Sequence, residues 1–140
     1  MGNSQSSIKL NYEDIQFIIK NPDGKLLINI MPENMQDCLI LKTLNSKKEE
    51  EVMNSLLRMG NKKIKIVIYG KNANDDKIYE KYQQLVSLGF YNVFVYPGGL
   101  FEWLLLQDIY GSEDFPTTKK ELDILKYKPN QVLNIPLLEY

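Results

Sequence analysis

Short apolar runs alternate with longer segments of helical periodicity along most of this 140-residue chain. Three of these runs have the length of strands and lie at residues 25–30, 63–69 and 91–96. Between them, apolar residues recur every three or four positions, as on the buried face of a helix. Strands joined by helical crossovers pair in parallel, so the order predicts an α/β fold with a mainly parallel central sheet flanked by helices on both faces.

Capping residues predict where the first helices begin and end. Asn11 is the predicted N-cap of a first helix, which ends at the breaker run of residues 21–24. Ser46 and Glu49 form a capping-box pattern, and Gly60 marks the end of the helix that follows. A capping box requires both residues in fixed positions, so this second helix is predicted to start at Ser46.

Two later segments are assigned from weaker patterns. The run at residues 35–44 predicts either another strand or the start of a helix, because short apolar runs do not distinguish them. Thr118 and Glu121 form a second capping-box pattern, which predicts a helix within residues 115–127. The predicted organisation has three parts, a flexible N-terminal segment, one domain and an apolar C-terminal arm, at residues 1–10, 11–126 and 127–140.

The composition excludes several catalytic classes. The chain contains no His, so Ser-His-Asp triads, Cys-His pairs and His-liganded zinc sites are impossible. The single cysteine, Cys38, cannot form an internal disulfide or a multi-cysteine metal site, and it fits a reducing compartment. We expect no metal and no cofactor. We interpret Cys38 as a buried structural thiol, with a reactive thiol as the alternative.

The N-terminus carries a lipidation pattern. Gly2 and Ser6 match M-G-x-x-x-[ST], the pattern for myristoylation of Gly2 after Met1 is removed, and a frayed polar end is the alternative. The sequence has no apolar run long enough for a transmembrane helix and no secretory signal. The predicted location is therefore cytoplasmic, with peripheral membrane association through Gly2. One acyl chain alone binds membranes reversibly.

The charge balance argues against a nucleic-acid partner. Seventeen basic and eighteen acidic residues give a net charge of −1, which does not favour nucleic acid. We expect a protein partner instead. The C-terminal arm either docks that partner or packs on its own domain through its apolar residues, Val132, Leu133, Ile135, Leu137 and Leu138.

The run "LGFYNVFVYPGGLFEW" resembles the second half of a rhodanese-like domain, and with the preceding pattern the resemblance covers residues 11–115. The matching positions are Gly89, Phe90, Asn92, Val93, Tyr96, Gly98, Gly99, Leu100 and Trp103. Two glycines permit a sharp backbone turn, and Trp103 is expected to be buried against the sheet, so these positions are interpreted as structural. The run "GGLFEWLLLQDIYG" is similar to rhodanese-like proteins of protists and large DNA viruses.

The resemblance implies a catalytic Cys directly after the strand "IVIY". In the family this thiol carries sulfur as a persulfide, held by backbone N–H groups, a helix N-terminus and usually an Arg. Here Gly70 stands at that position, so we predict no catalytic residue. Asp75 or Asp76 is expected to cap the next helix and to repel anions. The degenerate loop consists of Gly70, Lys71, Asn72, Ala73, Asn74, Asp75 and Asp76.

The first half of the family pattern is altered too. Rhodanese-like domains usually read L-[IL]-D-x-R after the first buried strand, whereas here Asn29 replaces the Asp and Met31 replaces the Arg. Losing both charges together is expected for a buried pair, since a single remaining charge would be costly.

The leading interpretation is a catalytically inactive rhodanese-like module that acts as an adaptor, scaffold or regulatory binding domain, tethered to a membrane through Gly2. One alternative is a sulfurtransferase or phosphatase-type enzyme with a non-standard site. Another is a small-ligand-binding module in which Asn72 and Asn74 of the loop recognise a neutral or cationic group.

Overall fold

The computed structural model describes residues 7–133, and these form a parallel four-stranded sheet with helices on both faces. The sheet order is β1-β4-β3-β2, from strands β1 (Ile8–Lys9), β2 (Lys25–Asn29), β3 (Lys65–Tyr69) and β4 (Val93–Tyr96). The four α-helices are α1 (Tyr12–Lys20), α2 (Glu49–Arg58), α3 (Lys77–Ser87) and α4 (Gly99–Tyr110). The predicted α/β class is confirmed.

The sheet separates two hydrophobic cores. Successive side chains of a strand point to opposite faces, so β3 sends Val67 and Tyr69 to one face and Ile66 and Ile68 to the other. Helices α1 and α4 cover the first face with Ile15, Ile18, Leu100, Trp103 and Leu104. Helices α2 and α3 cover the second face with Met53, Leu56, Ile78 and Leu85. Burial on both faces explains the continuous apolar runs of β2 and β3.

The first helix starts where the sequence predicts. The Asn11 side chain accepts hydrogen bonds from the backbone N–H groups of Glu13 and Asp14, at 2.9 and 3.2 Å. The Asp14 carboxylate accepts one in return from the Asn11 N–H group, at 3.0 Å. This reciprocal pair completes a capping box and confirms Asn11 as the N-cap.

The predicted start of the second helix is wrong. Helix α2 begins at Glu49, after a 3₁₀ turn at Ser46–Lys48. Asn45, one residue before the predicted cap, accepts a hydrogen bond from the Lys47 N–H group at 2.9 Å. Asn45 therefore takes the capping role predicted for Ser46, and Ser46 becomes part of the turn.

Residues 35–44 form neither the predicted strand nor the predicted start of a helix. Only single bridges join this segment to its neighbours, Leu27 to Thr43 and Ile40 to Thr117. Side chains accept two of its backbone N–H groups: Ile40 donates to the Tyr69 hydroxyl at 3.1 Å, and Leu39 donates to the Thr118 hydroxyl at 3.0 Å. Lys42 has a φ of 76°, which turns the chain and prevents a continuous ladder.

The predicted helix within residues 115–127 is also wrong, because only Ile124–Tyr127 form a 3₁₀ helix there. The Thr118 hydroxyl accepts a hydrogen bond from the Leu39 N–H group at 3.0 Å and donates one to the Asp37 carbonyl at 3.1 Å. Hydroxyl groups that bond to other backbone compete with helix formation. Thr118 therefore joins two irregular segments, and it does not cap a helix with Glu121.

The ends of the domain differ from the predicted boundaries. Strand β1 pairs with β4 through Ile8 and Lys9, so the sheet includes two residues of the segment assigned to 1–10. At the other end, Tyr127 is buried in the core with α1 and α4. Val132 and Leu133 of the predicted arm are exposed. Gly2 and the arm residues Ile135, Leu137 and Leu138 lie outside the described residues.

Candidate functional site

Residues 70–76 connect the carboxyl end of β3 to helix α3, at the sheet edge where α/β proteins usually bind ligands. The start of helix α4 packs directly against this loop. The N–H groups of Leu100 and Phe101 donate to the carbonyl oxygens of Gly70 and Lys71, at 3.0 and 2.9 Å. The loop therefore supplies the hydrogen-bond acceptors that the first turn of α4 would otherwise lack.

There is little room for a side chain at Gly70, the position to which the resemblance assigns the catalytic thiol. Gly70 is buried, and a Cβ atom there would lie 2.7 Å from Oδ2 of Asp75 and 3.0 Å from Cδ1 of Ile30. A thiol could enter only if the Asp75 carboxylate moved away. The carboxylate thus occupies part of the space that a side chain at residue 70 needs.

Asp75 also takes up backbone donors of the loop. Its Oδ2 atom accepts from the Lys71 N–H group at 3.1 Å, and its Oδ1 atom accepts from the Lys77 N–H group at 3.3 Å. Asp76, which occupies the N-cap position of α3, makes no capping bond with its side chain. Donors at a helix start normally attract anions, and here the first of them, the Lys77 N–H group, already binds an anionic group of the protein.

Asn72 fastens the loop to the C-terminal part of the domain. Its side-chain nitrogen donates to the Tyr127 carbonyl at 2.9 Å, and its side-chain oxygen accepts from the Asn74 N–H group at 2.9 Å. Asn72 is buried, whereas Ala73 and Asn74 are exposed in the turn. Both ends of the Asn72 amide are thus bonded within the protein, which leaves Asn74 as the more accessible amide of the loop.

A groove with a cavity volume of about 470 Å³ lies over the loop. Among residues 7–133, the charged side chains that line it are those of Lys71, Lys77, Lys128 and Asp75. Ile30, Pro32 and Val132 supply its apolar surface. Three lysines against one carboxylate favour an anionic or neutral group in this groove over a cationic one.

A neutral amide pair stands where the resemblance implies an Asp–Arg pair. Asn29 is buried, and its side-chain oxygen accepts from Gln36 at 2.8 Å and from the Met31 N–H group at 3.0 Å. Its side-chain nitrogen donates to Gln36 Oε1 at 3.1 Å. Met31 itself is buried in the core. Gln36 was not recognised from the sequence, because nothing in its local pattern indicates a contact seven residues away.

Cys38 is buried at 2% exposure, and its thiol donates to the Lys119 carbonyl at 3.2 Å. Burial raises the pKa of the Cys38 thiol. A raised pKa leaves less of the nucleophilic thiolate at neutral pH, so the structure favours the interpretation of Cys38 as a structural thiol.

We expect Cys38 to react at least about 100-fold more slowly with a disulfide reagent in the native protein than in urea, because the thiol is both buried and protonated. The measurement is the rate of reaction with dithionitrobenzoate at pH 8. A matched control is Ser112→Cys in a Cys38→Ser background, which places a thiol at an exposed position and should react rapidly. Fast labelling of native Cys38 would contradict a structural role.

The Gly-Gly pair of the family-like motif has a steric role. Gly99 has a φ of 69°, and a Cβ atom there would lie 2.7 Å from the Gly70 carbonyl oxygen. A Cβ atom on Gly98 would meet the Glu102 carboxylate, which accepts a 2.5 Å hydrogen bond from the Tyr96 hydroxyl. Burial and this carboxylate raise the pKa of Tyr96. Trp103 is fully buried, as predicted.

Two further features concern metals and membranes. Within residues 7–133, no group of three or more His, Cys, Asp or Glu side chains is placed to hold a metal ion. The helices described over the same residues are too short or too polar to span a bilayer.

Comparison with protein families matches residues 28–106 to the rhodanese-like domain. This match covers more than half of the chain, and the chain belongs to the rhodanese-like family. The recognition from the sequence is therefore confirmed. A comparison with functionally described proteins found no significant match.

Solved structures support the same fold. The chain is similar to the Alr3790 protein from Anabaena sp., with 20% identity, a TM-score of 0.57, and coverage of 77% of this chain and 89% of that chain. It is also similar to the single-domain sulfurtransferase RDL2 from Saccharomyces cerevisiae, with 16% identity, a TM-score of 0.57, and coverage of 78% and 98%. The rhodanese-like domain of Alr3790 in solution gives 17% identity, a TM-score of 0.54, and coverage of 96% and 94%.

Proposed function

We propose that this chain is a non-catalytic rhodanese-like module that binds a protein partner. The observation that carries the proposal is the position of the Asp75 carboxylate. It lies 2.7 Å from where a Cβ atom on Gly70 would be and accepts hydrogen bonds from the Lys71 and Lys77 N–H groups. A carboxylate here occupies space and backbone N–H donors that a persulfide on residue 70 would need.

The available nucleophiles support the same proposal. The chain contains no His and one Cys, and that Cys is buried with a raised pKa. Sulfur transfer by a persulfide requires an accessible thiolate, and phosphatase chemistry on this architecture requires a nucleophile and an anion site. Residues 70–76 contain neither a Cys to act as the nucleophile nor an Arg to hold the anion.

The lining of the loop groove argues against a cationic ligand, the third interpretation of the sequence. Lys71, Lys77 and Lys128 outnumber Asp75 there, and both ends of the Asn72 amide are bonded within the protein. The same lysines suit an acidic segment of a partner protein, which would approach between the loop and residues 128–132.

The proposal is tested by trying to restore sulfur loading. The wild-type protein should form no persulfide with thiosulfate, and Gly70→Cys alone should form little, because Asp75 still faces the new thiol. Gly70→Cys with Asp75→Ala frees the Lys71 and Lys77 N–H groups and should increase the rate of persulfide formation by about 10-fold or more, the effect expected from a lowered thiol pKa. Mass spectrometry with cyanolysis measures the product.

A matched control replaces the neighbouring acid. Gly70→Cys with Asp76→Ala removes the same charge from a carboxylate that makes no cap, so its rate should stay close to that of Gly70→Cys alone. Equal activation by the two double variants would mean that charge, and not the position of Asp75, limits loading. Turnover by the wild type that disappears in Cys38→Ser would overturn the proposal of a non-catalytic module.

We propose in addition that an acyl chain on Gly2 tethers the module to the cytoplasmic face of a membrane. The M-G-x-x-x-S pattern supports this, and one chain supplies a reversible tether. Cell-expressed protein should incorporate a myristate analogue and float with membranes, and Gly2→Ala should abolish both. An unlabelled wild-type protein would refute the tether without bearing on the loop.

A further inference from the structure

A second cavity opens between helix α1 and the sheet. It lies at the amino ends of the strands, whereas the loop groove lies at their carboxyl ends. Its volume is about 210 Å³. Lys25 and Lys65, the first residues of β2 and β3, place it at the amino ends of these strands. The cavity therefore shares no residue with the site described above, and its lining consists of Leu10, Asp14, Phe17, Ile18, Lys25, Lys65, Val67 and Phe94.

The cavity has an apolar interior and a charged rim. Val67 and Ile18 are nearly fully buried, and Leu10 and Phe94 are half-buried beside them. Phe17 is 58% exposed, which is unusual for a phenyl ring. The Lys25 ammonium lies 5.3 Å from the centre of that ring. An apolar interior next to lysines fits an alkyl chain that ends in a polar group.

The first described strand, β1, begins next to this cavity. Ile8 of β1 is the register partner of Phe94, which lines the cavity. Register partners project from the same face of a sheet, so the side chain of Ile8, 60% exposed, lies on the α1 side beside Phe94. Because β1 runs parallel to β4, Ile8 lies at the amino end of β1, on the side of the sheet where Lys25 and Lys65 begin their strands.

Chain length allows Gly2 to reach the opening. Six residue steps separate Gly2 from Ile8, and an extended chain spans at most about 20 Å over that length. The acyl chain itself adds further reach. This length is sufficient for a group on Gly2 to reach the cavity, because Phe94, the register partner of Ile8, lines it.

We propose that this cavity binds the acyl chain carried by Gly2, so that the domain shields its own lipid from the membrane. The inference rests on the proposed tether. The amide forms between the Gly2 α-amino group, freed by removal of Met1, and the acyl group of an acyl thioester, with the thiol as leaving group. The cavity holds several methylene groups, if each takes roughly the 30 Å³ that a water molecule occupies. The rest of the acyl chain lies along Phe17 and Ile8.

Shielding lowers the apparent affinity of the acylated protein for membranes, because the chain must leave the cavity before it inserts. Two states follow: one in which the domain holds the acyl chain, and one in which the membrane does. A ligand or partner that favours either state shifts the fraction of protein on the membrane.

The test uses the full chain co-expressed with an N-myristoyltransferase and labelled with ¹³C-myristate. Nuclear Overhauser effects are expected between the acyl methylenes and the methyl groups of Leu10, Ile18 and Val67. Leu10→Trp, which fills the cavity, should raise the fraction bound to phosphatidylcholine–phosphatidylserine vesicles by about 10-fold, the effect of releasing two or so methylenes. Met59→Trp is the control, since Met59 is exposed at the end of α2 on the other face of the sheet.

The outcomes separate the cavity from the tether. An acylated protein without these Overhauser effects, whose vesicle binding is the same in wild type and Leu10→Trp, would overturn the cavity proposal and leave the tether standing. A wild-type protein that takes up no myristate would overturn both. Near-ultraviolet circular dichroism verifies that Leu10→Trp is folded, and the Overhauser measurement on the wild type does not depend on any variant.

Discussion

Replacing Trp103 with Ala is expected to lower the free energy of unfolding by about 3–5 kcal/mol, the range for removing a fully buried aromatic side chain. Trp103 belongs to helix α4 and is fully buried in the core on the α1 and α4 face of the sheet. Its ring packs edge-on against Phe115 at 5.0 Å and against Tyr96 at 6.4 Å. Its Nε1 atom donates to the Pro116 carbonyl at 3.0 Å. The variant lacks this donor, so the Pro116 carbonyl loses a hydrogen bond.

Urea denaturation followed by far-ultraviolet circular dichroism measures the change. Tyr91→Ala is a suitable control, because it also removes an aromatic ring but from a position that is 63% exposed. We expect the control to shift the free energy of unfolding by less than about 0.5 kcal/mol. A loss below about 1 kcal/mol in Trp103→Ala would mean that the core does not depend on this ring.

The second large effect is expected at Gly99, which carries two separate constraints. Its φ of 69° lies in the left-handed region, and a Cβ atom would lie 2.7 Å from the Gly70 carbonyl oxygen and 3.0 Å from the Asn72 nitrogen. Both of these contacts are backbone atoms, which cannot rotate away. Gly99→Ala should therefore lower the free energy of unfolding by about 3–4 kcal/mol, the sum of left-handed strain and overpacking.

Gly60→Ala separates the two constraints experimentally. Gly60 has a φ of 70°, nearly the same as Gly99, but a Cβ atom there would meet nothing within 4 Å. The strain alone should cost about 1–2 kcal/mol. The difference between the two variants measures the close approach of α4 to the loop. Thermal and urea denaturation measure both variants. If Gly99→Ala and Gly60→Ala lose the same free energy of unfolding, this contact has no cost of its own.

The fold could be predicted because its strands and helices are marked by local patterns. Strands β2 and β3 are buried on both faces and therefore appear as continuous apolar runs. Capping was predictable only where one candidate stood alone, as at Asn11. At the second helix two adjacent residues, Asn45 and Ser46, were both able to cap, and the sequence gives no rule for choosing between them.

The loop was predictable in its composition but not in its contacts. The absence of a thiol at Gly70 and the acids at Asp75 and Asp76 can be read directly from the chain. The bond from Asn72 to the Tyr127 carbonyl joins residues 55 positions apart. Such contacts depend on where the tertiary fold brings polar groups together, and a buried polar atom will use whichever partner is near.

These contacts also fix the order in which the loop can form during synthesis. Strand β3 and helix α3 leave the ribosome before α4, yet the Gly70 and Lys71 carbonyls bond to the start of α4, and Asn72 bonds to Tyr127. Chains emerge from the N-terminus onwards, so residues 70–76 must wait for more than fifty later residues before they have all their partners. A nascent chain arrested before Tyr127 lacks the partner of the Asn72 side chain, and it also lacks Lys128 and Val132 of the groove lining.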